Sequence, residues 1–263
     1  MRYSTLFLSD IHLGYKDCKA EFLLNLLDNI NCDTLYLVGD IIDIWSLKRK
    51  LFWPEEHHRL LYRLLNLPKE GTRVIYIPGN HDQAMREFSH FSMNEIKIHK
   101  DIIHETINGH RLLVIHGDAF DSAVCVGPLL GWIGDRMYDF LLFLNRWFNR
   151  CRRLIGLPYW SLSSFIKKRV NRAQQFIKRF IEVTSRFANK KGLDGVICGH
   201  IHQADLQHTA NGLYANCGDW IENCTFLVEN QFGEIELHYW ADHQEKLIVK
   251  PVHSMTQVTR KAA

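Results

Sequence analysis

Aspartate and histidine stand in short glycine-flanked clusters along this 263-residue chain. Asp10 and His12 fall in "SDIH", Asp40 and Asp43 in "GDIID", Asn80 and His81 in "GNHD", His116 in "HGD", and His200 and His202 in "GHIH". Any one cluster has an ordinary reading, since Gly, Asn and Asp are common turn residues and the chain carries 15 histidines. Five clusters of one chemical type ask for more. Asp10, His12, Asp40, Asn80, His116, His200 and His202 supply oxygen and nitrogen ligands for two divalent cations sharing one carboxylate, with water filling the remaining positions. Mixed carboxylate, amide and imidazole ligation suits manganese, iron, zinc or cobalt in an open catalytic site; a closed structural zinc would draw cysteine.

Elements that deliver such ligands must end at one place. Thr5 to Leu8, Thr34 to Val38, Val74 to Ile77, Leu112 to Ile115, Gly195 to Cys198 and Leu213 to Asn216 each run into a polar cluster, and short apolar runs bounded by Gly read as buried strands. Asp10 and His12 are spaced by two, as are His200 and His202, so an extended backbone projects both members of each pair to one side. The clusters then lie at the carboxyl ends of the strands, along one edge of one sheet. Helical patterns alternate with the first strands: Phe22, Leu23, Leu26, Leu27 and Ile30, then Leu60, Leu61, Leu64 and Leu65. The result is an α/β core.

From about 128 to 191 the rhythm changes. Leu130, Ile133, Met137, Leu141, Leu144, Phe148, Cys151 and Ile155 recur at helical steps, and so do Ile166, Val170, Ala173, Ile177, Phe180, Ile181 and Thr184. Two helices inserted into a single domain spanning 1–263 account for this. Thr225 to Val228 and Ile235 to Trp240 form an antiparallel hairpin turning at Gly233, and Ser254 to Ala263 is a loose tail.

Composition narrows the class. A formal charge of +3 is too mild to argue for nucleic acid as partner. Scattered, odd-numbered cysteines point to reduced thiols in a cytoplasmic setting. The opening apolar run is too short for a secretory signal, and no stretch has the length of a membrane-spanning helix.

Ser9-Asp10-Ile11-His12, Gly39-Asp40-Ile41-Ile42-Asp43, Gly79-Asn80-His81-Asp82, His116-Gly117-Asp118 and Gly199-His200-Ile201-His202 together resemble the ordered motif set of the calcineurin-like metallophosphoesterases. That resemblance implies a four-layer αββα sandwich of two mixed sheets. It implies one metal on Asp10, His12, Asp40 and His202, and a second on Asp40, Asn80, His116 and His200, with Asp40 bridging. It also implies in-line attack on phosphorus by a metal-bridging hydroxide, with His81 serving the leaving oxygen and Asp43 orienting His81. Asp82 and Asp118 are expected to hold loops.

Substrate evidence must come from the insertion. Its aromatic residues, among them Trp132, Phe143 and Trp147, exceed one helical stripe, and its many Arg and Lys residues, Arg152 and Arg153 included, face only Asp135, Asp139 and Glu182. A basic amphipathic hairpin fits an anionic membrane surface. With "GDIIDIW" and "NCGDWIENCTFLVE", the chain is most similar to the UDP-2,3-diacylglucosamine hydrolase group. That implies a lipid-linked nucleotide substrate, manganese, a lipid A step, and a peripheral position at the inner face of the cytoplasmic membrane. His81 stands where the best-understood branch of that group has Arg, so a sister branch remains open, as does a broader phosphodiesterase acting on cyclic nucleotides, nucleotide diphosphates or nucleic acid.

Overall fold

In β1 (Arg2–Leu8), Leu6 and Leu8 pack into one apolar cluster and Phe7 into another. The same alternation divides Leu35 and Leu37 from Tyr36 and Val38 in β2 (Asn31–Val38), and Val74 and Tyr76 from Ile75 and Ile77 in β3 (Arg73–Ile77). Strands covered on both faces carry no polar side, which is why they read as unbroken apolar runs. The computed structural model describes residues 1–88, 92–93, 95–124, 148–149, 151–152, 154 and 171–240.

β1, β2 and β3 run parallel at the centre of a seven-stranded sheet. β4 (Ser92–Met93) and β5 (Ile96–Ile98) extend it on one side. On the other lies the antiparallel hairpin of β11 (Thr225–Glu229) and β12 (Ile235–Tyr239), with Gly233 at φ 79° in the turn as expected. A five-stranded sheet holds β6 (Ile102–Glu105), β7 (Arg111–Val114), β8 (Gly195–Cys198), β10 (Gly212–Asn216) and β9 (Asp205–Thr209), in that order.

Three apolar layers separate four layers of structure. Leu23, Leu26 and Leu27 of α1 (Ala20–Asn29) and Leu60 and Leu64 of α3 (Glu55–Asn66) cover the outer face of the larger sheet. Phe7, Val38, Ile77, Val114, Ile197 and Leu227 fill the space between the sheets. Val124 of α4 (Asp121–Val124) and Phe180 and Ala188 of α5 (Asn171–Lys190) pack with Leu113, Val196 and Tyr214 on the smaller sheet. The αββα sandwich is therefore present, and the short α2 (Ile44–Arg49) sits above the strand ends, capped by Asp43.

One expectation changes. The ligand-bearing strand ends do not line one edge of one sheet: β1, β2 and β3 belong to the larger sheet, β7 and β8 to the smaller. Phe180, Ile181 and Thr184 of the inserted segment are taken up by packing on the smaller sheet, so the outward side of α5 offers cations and little apolar surface. Most of the first inserted helix, with Arg153, and the tail from Ser254 lie outside the described residues. Among the described residues no helix is long and apolar enough to cross a membrane.

Candidate metal centre

Asp10, His12, Asp40, His200 and His202 all adopt left-handed backbone, with φ of 52°, 54°, 54°, 70° and 51°. Only Gly, and to a lesser degree Asn, Asp and His, visit that region without clear cost. The strands thus end in tight left-handed turns, and the expected extended alternation of Asp10 with His12, and of His200 with His202, is absent. Convergence comes instead from cross-links between strand ends. The Asp10 N–H donates to Gly39 O at 3.0 Å, His12 N–H to Asp40 O at 2.9 Å, and Gly199 N–H to His116 O at 3.0 Å. His200 N–H donates to Asp10 Oδ2 at 2.9 Å.

Among the described residues the side chains meet in three groups of three whose ligand atoms lie within 4.8 Å of one another: Asp10 with His12 and His202, Asp40 with His116 and His200, and His12 again with Asp43 and His81. Asp40 stands between the first two groups. Its Oδ2 is 3.4 Å from His116 Nε2 and 3.8 Å from His12 Nε2, while its Oδ1 accepts the His81 N–H at 2.8 Å. Asn80 Oδ1 lies 3.3 Å from His116 Nε2, and Asp10 Oδ1 lies 3.2 Å from His202 Nε2. Gly79 has to be glycine, because a Cβ there would strike Asp40 Oδ1 and His116.

This donor set fits divalent cations. Asp10 Oδ1 is buried and accepts no hydrogen bond, a costly condition for a carboxylate that no ion meets. His12 Nε2 and His202 Nε2 face each other at 3.3 Å, an arrangement natural for two donors aimed at one ion. The opposite ring nitrogens are tied back: His12 Nδ1 to Asp43 Oδ2 at 3.1 Å, His116 Nδ1–H to Val38 O at 2.9 Å, and His200 Nε2 to Asp121 Oδ1 at 2.7 Å. Such outer bonds fix which nitrogen of an imidazole is presented.

Charge follows the same pattern. Burial works against ionisation of Asp10, yet the charge of His202 and the close approach of the His12 and His202 imidazoles hold its carboxyl well below the usual range. Burial likewise disfavours a charged His116, but the neighbouring Asp40 carboxylate holds that imidazole up at about 10. Carboxylates and imidazoles here stabilise one another's charged forms until cations displace the protons.

Residues 3–204 match the calcineurin-like phosphoesterase family. The chain belongs to that family. Curated relatives include UDP-2,3-diacylglucosamine hydrolase of Psychromonas ingrahamii, 27% identical over 259 residues that cover 89% of this chain and 96% of the relative. The enzyme of that name from Vibrio cholerae is 24% identical, covering 91% and 99%. Among solved structures, vacuolar protein sorting 29 of Cryptosporidium parvum aligns at TM-score 0.44 and 12% identity, covering 94% of each chain. An archaeal phosphodiesterase aligns at TM-score 0.43 and 15% identity, covering 89% and 98%. The protein is a metal-dependent phosphoesterase.

In this phosphoesterase the supporting carboxylates each join two loops. Asp43 binds the Nδ1 of both His12 and His81, at 3.1 and 3.0 Å, so it orients more than the single imidazole expected of it. Burial opposes its ionisation, but those imidazoles and their charge hold its carboxyl well below the usual range. Asp82 accepts from Gly79 N–H, Ile41 N–H and the Tyr76 hydroxyl, and Asp118 receives a two-pronged pair from Arg86, at 2.8 and 2.9 Å. Both hold loops, as expected.

Sequence reasoning missed two residues. Asp121, on His200, follows the "HGD" cluster by only three residues, and that proximity was the available signal. Trp45 lies 4.4 Å from the His81 ring and 46% exposed; its place two residues after Asp43 pointed to the same rim.

Proposed function

We propose that this phosphoesterase hydrolyses the pyrophosphate of a lipid-linked nucleotide, UDP-2,3-diacylglucosamine, to UMP and 2,3-diacylglucosamine 1-phosphate, as a single domain peripheral to the inner face of the cytoplasmic membrane. The substrate is taken from the name its curated relatives share. The observation that carries the chemistry is Asp40 Oδ2 between the two imidazole-bearing groups, facing His12 and His116. Asp10, His12, Asp40 and His202 would hold one divalent cation; Asp40, Asn80, His116 and His200 would hold the other. Manganese is the first candidate, then iron or zinc. When bound, such a pair supplies a nucleophile at neutral pH and neutralises phosphoryl charge.

The chain's own residues do the rest. Water gives up one proton to solvent and adds to phosphorus as the bond to the leaving phosphate oxygen breaks. His81, held through Nδ1 by Asp43, presents Nε2 to protonate that oxygen. Trp45 covers the His81 ring and limits its rotation.

His81 favours a second reading, since Arg stands there in the best-understood branch of the resembled group: a broader phosphodiesterase with the same centre. A manganese-loaded assay on UDP-2,3-diacylglucosamine, products identified by mass and a non-acylated UDP-sugar as control, separates the two. Selective release of UMP and acylated sugar 1-phosphate is expected. Silence on the lipid with turnover of a generic phosphodiester selects the second reading.

A further inference from the structure

Residues 44 to 54, read as IWSLKRKLFWP, hold three consecutive cations and no acid. Lys48, Arg49 and Lys50 are all exposed. Three large apolar side chains interleave with them on the surface: Trp45, Leu51 at 80% exposure, and Phe52 at 37%. Single exposed apolar residues are ordinary, but three within eight positions around a cationic run form an amphipathic patch. Of the acids flanking the segment, Asp43 is buried and caps α2, and Glu55 and Glu56 sit in the first turn of α3, where they complement the partial positive charge of the helix start.

The patch is held firmly from beneath. Asp43 N–H donates to Leu13 O at 2.8 Å, and Asp43 Oδ1 accepts the Ser46 N–H at 2.7 Å, capping α2. Leu47 presses so closely on Gly14 (φ 99°) that a Cβ there would meet its Cγ at 2.6 Å. Gly14 N–H donates to His57 Nδ1 at 3.0 Å, and the rings of Phe52 and Trp53 stand edge-on to His57 at 5.7 and 5.8 Å. At the inner end Trp45 touches His81. A rigid strip therefore runs from the edge of the metal centre outward to Leu51.

We propose that this strip is a docking edge for an anionic lipid bilayer, with Leu51 and Phe52 entering the interface and Lys48, Arg49 and Lys50 meeting headgroup phosphates. Three cations without an intervening acid complement such a surface, and two adjacent apolar tips complement its acyl boundary. The use of docking rests on the lipid-linked reading above: acyl chains that stay in the bilayer leave the scissile pyrophosphate at headgroup level, beside His81.

The test is co-sedimentation of the full chain with phosphatidylcholine vesicles made with or without phosphatidylglycerol. The wild type binds the anionic vesicles. The triple variant Lys48→Gln, Arg49→Gln, Lys50→Gln weakens binding by roughly 100-fold, as about 1 kcal/mol per cation near an anionic surface requires. Leu51→Ser with Phe52→Ser weakens it at least 10-fold, and both variants hydrolyse a soluble phosphodiester at the wild-type rate. No wild-type binding, or a loss below threefold in both variants, overturns the proposal. A dimer in ultracentrifugation that Leu51→Ser and Phe52→Ser abolish overturns it too, in favour of a second copy of the chain. Vesicle binding does not depend on the substrate assay, so a silent lipid substrate with strip-dependent binding refutes the substrate and leaves the docking edge standing.

Discussion

Glu229 and Asp10 are carboxylates buried to 1% and 0% exposure and set against histidine, yet every oxygen of Glu229 is met and one oxygen of Asp10 is not. Glu229 Oε2 accepts from Thr5 Oγ1–H at 2.8 Å and His104 Nε2–H at 3.0 Å, and Oε1 accepts the Ile107 N–H at 2.7 Å. Tyr36 completes that cluster by donating to His104 Nδ1 at 3.3 Å. It joins β1, β2 and β11 of the larger sheet to β6 of the smaller on ordinary strand backbone. The Asp10 cluster is built on left-handed turns and aims its imidazoles inward at one another. A satisfied buried network fastens a fold, whereas an unsatisfied one on strained backbone is arranged for a guest.

The largest effect that tests this difference is at the guest site. Asp40→Ala removes the carboxylate between the two groups and takes phosphodiester turnover to background. Manganese raises the melting temperature of the wild type by binding only the folded chain, and in this variant that rise shrinks. An unchanged metal response would remove Asp40 from the bridge.

His81→Ala comes next. Metal stays bound, and turnover falls by about 10²- to 10⁴-fold for a poor leaving group but little for p-nitrophenolate, which leaves without a proton. An equal drop for both leaving groups would refute the acid role.

At the fastening cluster the expected change is in stability. Glu229→Ala leaves Thr5, His104 and the Ile107 amide without their acceptor, costing about 3 kcal/mol in urea unfolding, while the metal response of the folded protein is kept. The smallest effect is pH-dependent. Burial would raise the Glu229 carboxyl, but His104, the Ile107 amide and Thr5 outweigh it and hold it below the ordinary 4.5. A carboxyl held low in the folded state contributes stability above its ordinary range and loses it as pH falls through its folded value. The stability gap between wild type and Glu229→Gln is therefore widest at neutral pH and closes below about pH 4.5. A gap that does not vary with pH would show the contribution to be packing alone.

Much of the guest site was legible because its signals are local. A run such as Leu112 to Val114 before His116 announces a buried strand and a polar turn within a few residues. The fastening cluster was not legible at all. Thr5, Tyr36, His104 and Glu229 are one Thr, one Tyr, one His and one Glu in unremarkable strands, separated by up to 224 positions. Nothing local marks a polar residue that will face between sheets. Asp121 and Trp45 fall in between: each lies three or fewer residues from a motif member, but only its reach to His200 or His81 gives it a role.

By itself, the sequence determined the ligand types, their order and the strands that carry them, since apolar runs and glycine-bounded polar clusters follow from short-range propensity and patterning. Tertiary structure alone decided that two sheets share the site, that the ligand pairs converge through left-handed turns, and that Asp43 serves two imidazoles. Each of those depends on hydrogen bonds between strand ends far apart in the chain, such as His200 N–H to Asp10 across 190 positions, which form only when the two sheets close on their shared apolar layer.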